Sequence, residues 1–185
     1  YYQSILYGNR QGDRDCPPAF RVLDVPHKLQ LDRKEGNRAL KKFIQNRVDG
    51  ILIVPIESEG NAVSFIRDNG IPFVLLDTRS QDEDISTVSS DNIAGGTMAM
   101  EYLLSTGVER VLIFKGFAHQ SASDRLKGAR SLLSRFPSLP CRILADTNNL
   151  ADGYNNMNAL IKRGEVPAPG TGVFALNDFS AMGVI

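Results

Sequence analysis

His27 and His119 are the only side chains of the 185 whose ordinary charge change falls near neutral pH, so general-base chemistry would have to start from one of them. Neither stands beside a nucleophile or a metal-ligand set in sequence. His27 reads as a strand-end surface residue, and His119 lies in the loop Phe117-Ala118-His119-Gln120, where it could face a cleft. No G-x-G-x-x-G, G-x-x-x-x-G-K-[ST] or G-x-S-x-G follows a strand candidate, which removes the usual signatures of dinucleotide binding, P-loop phosphate binding and serine hydrolysis. The two cysteines, Cys16 and Cys141, lack metal or C-x-x-C spacing and read as buried free thiols. The expectation is a binding protein, not an enzyme, with no cofactor and no metal.

The elements that must position a binding site follow from hydrophobic periodicity. Short apolar, β-branched runs at 20–25, 50–54, 72–76, 110–114, 141–145 and 171–175 alternate with amphipathic stretches at 31–46, 58–69, 91–106, 122–135, 151–163 and 178–185. Gly70, Gly107 and Gly164 sit just past three of these stretches, where a left-handed C-terminal cap is wanted. Alternation of this kind predicts an open, doubly wound parallel sheet, whose ligands bind beyond the carboxyl ends of the strands. The run 77–84 breaks the rhythm with four acids and no apolar residue. A crossing between two lobes is expected near residue 90, giving an N-terminal lobe over 1–90 and a C-terminal lobe over 91–185.

Charge excludes one class of partner: 21 Lys and Arg balance 21 Asp and Glu, so these residues carry no basic excess for gripping nucleic acid or an anionic membrane. Nor does any apolar run reach the length of a membrane span.

Five segments resemble, in order and spacing, signatures of the lac-repressor family and the type I periplasmic sugar-binding proteins. They are Val48-Asp49-Gly50-Ile51-Leu52-Ile53-Val54-Pro55, Asn69-Gly70-Ile71-Pro72-Phe73-Val74-Leu75-Leu76-Asp77, Val88-Ser89-Ser90-Asp91-Asn92-Ile93-Ala94-Gly95-Gly96, Ser121-Ala122-Ser123-Asp124-Arg125-Leu126-Lys127-Gly128, with its R-x-x-G, and Val173-Phe174-Ala175-Leu176-Asn177-Asp178-Phe179-Ser180-Ala181-Met182-Gly183, with its N-D-x-x-A-x-G. The resemblance implies an α/β, two-lobed fold of the periplasmic-binding-protein-like type I, each lobe a doubly wound parallel sheet flanked by helices. It also implies that Tyr1 to Gly8 begins a helix, that a first strand precedes Tyr1, and that the second lobe continues past Ile185.

Sugar recognition takes charged or amide groups for hydroxyls and aromatic faces for the ring. By the resemblance, Arg125 is the ligand-contacting arginine; an Arg opening a helix is otherwise an ion-paired or solvated residue. Asn177 offers its amide to ligand while Asp178 caps or supports, although both types also suit a helix N-cap. Asp91 contacts ligand or positions the cleft, or caps the helix behind it. Asp77 matches an acid that takes two hydroxyls, but Thr78 stands where many sugar receptors have arginine, which leaves the ligand class open. Tyr1 and Tyr2 match a pair of aromatics that sandwich a sugar, and Thr147 replaces an aromatic with a small polar group.

The implied function is the effector-binding core of a lac-repressor-family transcriptional regulator, in which a sugar or similar small polar ligand closes the cleft between the lobes. Such a protein is cytoplasmic, a homodimer, and touches DNA only through a segment outside this chain. The alternative is a periplasmic sugar-binding receptor of an ABC transporter.

Overall fold

The computed structural model describes residues 3–8, 20–25, 40–41, 45, 48–55, 60–116, 119–144, 149–165 and 168–185, with 3–8 and 20–25 described by their backbone. By its contacts the chain divides into two compact units, Tyr1–Ser89 and Ser90–Ile185.

The first unit holds a five-stranded sheet. Its strands are β1 (Gln3–Gly8), β2 (Phe20–Val25), β3 (Ile51–Ile53), β4 (Phe73–Leu76) and β5 (Thr87–Val88), in the order β2-β1-β3-β4-β5. From β3 to β5 the pairing is parallel, as the alternation predicts, with Ile51 opposite Phe73 and Leu76 opposite Val88. Toward the other edge the sheet is mixed, because β1 runs antiparallel to both β2 and β3. The expected helix beginning over Tyr1 to Gly8 is thus corrected to a strand at Gln3–Gly8, which with β2 adds an antiparallel edge to the parallel sheet expected for this lobe. Gln3–Gly8 meets Phe-Arg-Val-Leu-Asp-Val in six register pairs. Aromatic and β-branched residues favour that extended pairing, whereas a six-residue helix would carry the full nucleation cost for very few hydrogen bonds.

Of the helix expected over 31–46, the described residues Leu40, Lys41 and Gln45 are helical. Helix α1 (Asn61–Asp68) follows Gly60 and buries Val63 and Ile66, one turn apart, against Ile51, Ile53 and Leu75 of the sheet. Phe65 also leans on this core.

The second unit is a three-layer α/β/α body, and the alternation of side chains along β6 (Arg110–Phe114) explains its layers. That strand lies between β7 (Cys141–Leu144) and β8 (Thr171–Ala175), parallel to both. Val111 and Ile113 point to one face, where they pack with Met100, Leu126, Ala129 and Leu132 of α2 (Asn92–Ser105) and α3 (Gln120–Leu133). Leu112 and Phe114 point to the other, against Met157 and Leu160 of α4 (Leu150–Lys162) and Val184 of α5 (Asp178–Val184). Burying both faces is why the strands read as nearly continuous apolar runs.

Gly70, Gly107 and Gly164 take φ values of 66, 78 and 68°, the left-handed stop that their places after helices predict. Cys141 corrects an expectation, since the residue is exposed rather than buried; Cys16 lies outside the described residues. No described helix is long and apolar enough to cross a membrane.

Candidate ligand-binding site

In the second unit, the carboxyl ends of β6 and β8 give way to Gly116 and to Leu176-Asn177, and α3 begins a few residues after the first of these. His119 opens α3 as its N-cap. Its Nδ1 accepts from the backbone N–H of Ser121 at 3.5 Å and lies 2.9 Å from Ser121 Oγ, so this nitrogen faces the helix start.

Arg125, one turn further on, reaches back across the strand ends. Its Nε donates to Asn92 Oδ1 at 2.9 Å and its Nη1 donates to the carbonyl of Leu176 at 2.5 Å. The arginine can come this close because α2 and α3 touch along small residues. A Cβ on Gly96 would stand 2.0 Å from the Arg125 carbonyl oxygen, and one on Gly128 the same 2.0 Å from that of Ile93. The glycine of the R-x-x-G motif is therefore a packing residue, while its arginine is the polar one.

Asn92, which sequence reasoning did not single out, is the missing partner. It is buried at the first position of α2, where its Nδ2 donates to the Ser90 carbonyl at 3.2 Å and its backbone N–H donates to the same oxygen at 2.9 Å. An Asn beside a capping Asp is the only local hint; its bond to Arg125 joins positions too distant for any periodicity to show.

Asn177 accepts from the backbone N–H of Ser180 through Oδ1 at 2.7 Å and so caps α5. Of the two roles expected for Asp178, cap or support, the cap falls to Asn177, and Asp178 is an exposed first-turn residue, placed to favour the positive helix end. The Asn177 amide lies over Gly116, where an added Cβ would come within 2.2 Å of Nδ2. Asp91 caps α2 by accepting from the Ala94 N–H at 3.0 Å, which is the local one of its two expected roles. Asn149 does the same for α4, with the Asp152 N–H 2.8 Å away. Arg125 and Asn177 are thus brought to one end of this sheet through Leu176.

In the first unit, Asp77 follows β4 with φ of 55°, the one positive φ outside glycine among the described residues. Aspartate tolerates this conformation at modest cost, and such outliers gather at binding loops. Its N–H donates to the Val88 carbonyl at 2.9 Å, tying the loop to β5. Thr78 is buried, and Arg67 pairs with Asp82 at 2.7 Å across the acidic stretch. Tyr1, Tyr2 and Thr147, as well as His27, lie outside the described residues. Among those described, no group of three or more His, Cys, Asp and Glu could hold a metal ion.

A family model for the periplasmic binding protein domain matches residues 27–185. The HTH-type transcriptional repressor PurR of Glaesserella parasuis is 26% identical over 159 residues, covering 84% of this chain and 46% of that protein. The ribose operon repressor of Escherichia coli K12 is 28% identical over 158 residues, covering 83% and 47%. The chain thus spans somewhat under half the length of these relatives. Among solved structures, the Cra transcriptional dual regulator from Pseudomonas putida, in complex with fructose 1-phosphate, superposes with a TM-score of 0.71 at 16% identity over 83% of this chain and 57% of that one. A galactofuranose binding protein does so with a TM-score of 0.68 at 24% identity over 83% and 56%. These likenesses establish the α/β fold of type I.

Proposed function

The chain belongs to the periplasmic binding protein domain family, and from that premise we propose that it forms the effector-binding core of a lac-repressor-family transcriptional regulator that takes a sugar or a similar small polar ligand. One observation carries the reading: a guanidinium and an amide, Arg125 and Asn177, meet through Leu176 beyond the strand ends of an open parallel sheet. Planar donors of that kind suit vicinal hydroxyls, and a phosphate would suit the arginine equally. Repressors among the relatives support the regulator over other members of the fold.

In this reading Asp77 contributes from the first unit and Arg125, Asn177 and Asp91 from the second. The cytoplasmic setting, the homodimer and a DNA-binding segment elsewhere in the protein belong to the same proposal. Exposed apolar side chains on α4 and α5, among them Leu150, Tyr154 and Met182, support self-association.

The test is thermal unfolding with D-ribose, D-galactose and D-fructose 1-phosphate, then a wider panel of pentoses, hexoses and their phosphates. A ligand at a hundred times its Kd adds about 2.7 kcal/mol of stability, an easily measured rise in Tm. Indifference to the whole panel overturns the sugar assignment. The extracytoplasmic receptor is the second reading, favoured by the likeness to a galactofuranose binding protein.

A further inference from the structure

We propose that Asn92 and Arg125 are positioning residues that tie the segment entering the second unit, Ser90 to Asn92, to the loop that carries Asn177. The proposal deepens the ligand-binding reading and rests on it for its functional meaning, while the tether itself is testable on the free protein.

The observation is an unbroken run of hydrogen bonds. The Ser90 carbonyl accepts twice from Asn92, through Nδ2 at 3.2 Å and the backbone N–H at 2.9 Å. Asn92 Oδ1 accepts from Arg125 Nε at 2.9 Å, and Arg125 Nη1 donates to the Leu176 carbonyl. Leu176 donates its own N–H to the Phe114 carbonyl at 3.0 Å, and the next residue, Asn177, caps α5. Ser90 is the first residue of the second unit, so the run starts where the chain passes from one unit to the other.

The chemistry makes this more than packing. Asn92 and Leu176 are both buried, so each oxygen would be left without its cationic donor if the guanidinium moved. A guanidinium is a rigid fork, which can satisfy two acceptors in fixed directions at once; a lysine ammonium is a point donor on a flexible stem and cannot reproduce both. Displacing Arg125 or Asn177 is therefore felt at Ser90. A ligand that draws on either residue reaches the inter-unit segment through Asn92, with no contact of its own there.

Amide hydrogen exchange on the full chain, without ligand, tests this. The reporters are Ala94 and Gly95 at one end and Ser180 and Ala181 at the other, with Val111 to Phe114 as the core reference. Asn92→Leu should speed exchange at Ser180 and Ala181 by about ten-fold or more relative to the core, and Asn92→Asp, which loses the Nδ2 donor to Ser90 but keeps the Oδ1 acceptor for Arg125, should restore the wild-type rates at Ser180 and Ala181. Arg125→Lys should speed both ends. The proposal is overturned if Asn92→Leu acts only on residues 90–95, or if Asn92→Asp fails as Asn92→Leu does while the core stays protected. Should Asn92→Leu loosen the core as well, Arg125→Lys decides, and unchanged exchange at Ser180 in that variant overturns it. Because no ligand is present, failure of the sugar panel leaves this result standing, and the reverse holds too.

Discussion

Gly128 lies so close under the carbonyl of Ile93 that a Cβ on it would be 2.0 Å from that oxygen, a distance no packed side chain tolerates. This contact sets how near α3 approaches α2, and with it how far Arg125 reaches. Gly128→Ala should destabilise the protein by about 3 kcal/mol or more through forced separation of the two helices. Gly95→Ala is the control, since nothing lies within 4 Å of its added Cβ. Replacing a helical glycine there should stabilise by about 0.5 to 1 kcal/mol. Urea unfolding of both variants checks the pair, and equal effects would contradict it.

Asn177 holds a cap with its oxygen and, in the proposed function, offers ligand its amide. Two substitutions separate the roles. Asn177→Ala should cost about 1 kcal/mol in stability, while Asn177→Asp keeps the capping oxygen and should stay within about 0.5 kcal/mol of wild type. Both should weaken ligand binding, because both remove the N–H donors. Full affinity in Asn177→Asp would confine Asn177 to capping.

Arg125→Ala should lower affinity for the most stabilising sugar by roughly 30-fold to 150-fold, the loss of a charge-assisted contact worth about 2 to 3 kcal/mol. Calorimetry measures it directly. Unchanged affinity would leave Arg125 as an internal tether alone.

Self-association distinguishes the regulator from the receptor. A regulator reading a two-fold operator must hold two DNA-binding heads together, so the complete core should sediment as a dimer at micromolar concentration, with an apolar interface above about 2,000 Å². Tyr154 and Met182 are 58% and 52% exposed on neighbouring helices, and Tyr154→Glu or Met182→Glu should shift the dimer toward monomer. A wild-type core that remains monomeric would favour the extracytoplasmic receptor.

The Cys141 thiol is pushed up by partial burial, and the nearby Arg130 charge opposes that shift. Its alkylation by iodoacetamide at pH 8 should therefore be slower than that of a free thiol, since the thiolate is the nucleophile. Arg130→Ala should slow it further. Faster alkylation in that variant would contradict the assigned direction.

Local rules are most informative at helix ends. The stops at Gly70, Gly107 and Gly164 and the capping of α2 by Asp91 depend on the backbone of a few consecutive residues, which is what a sequence displays directly. Orientation was harder. Phe65, Leu103 and Leu104 lean on the cores, while Met98 and Tyr102 face out. Helix α2 is Asn-Ile-Ala-Gly-Gly-Thr-Met-Ala-Met-Glu-Tyr-Leu-Leu-Ser, apolar or small on nearly every side, so its periodicity names no inner face.

By itself the sequence determined the strand and helix alternation, the glycine stops and the set of motifs that carry Arg125 and Asn177, because each is written in local conformational preference and side-chain period. Only the tertiary structure decided which partners those residues meet. Arg125 bonds to Asn92 and to Leu176, which stand 33 and 51 positions away in the chain. Partners so distant are selected by the packing of helices on a sheet, through glycines whose missing Cβ atoms let backbones meet, and no local pattern encodes that choice. The same holds for Gln3–Gly8, whose extended form follows from pairing with Phe20–Val25.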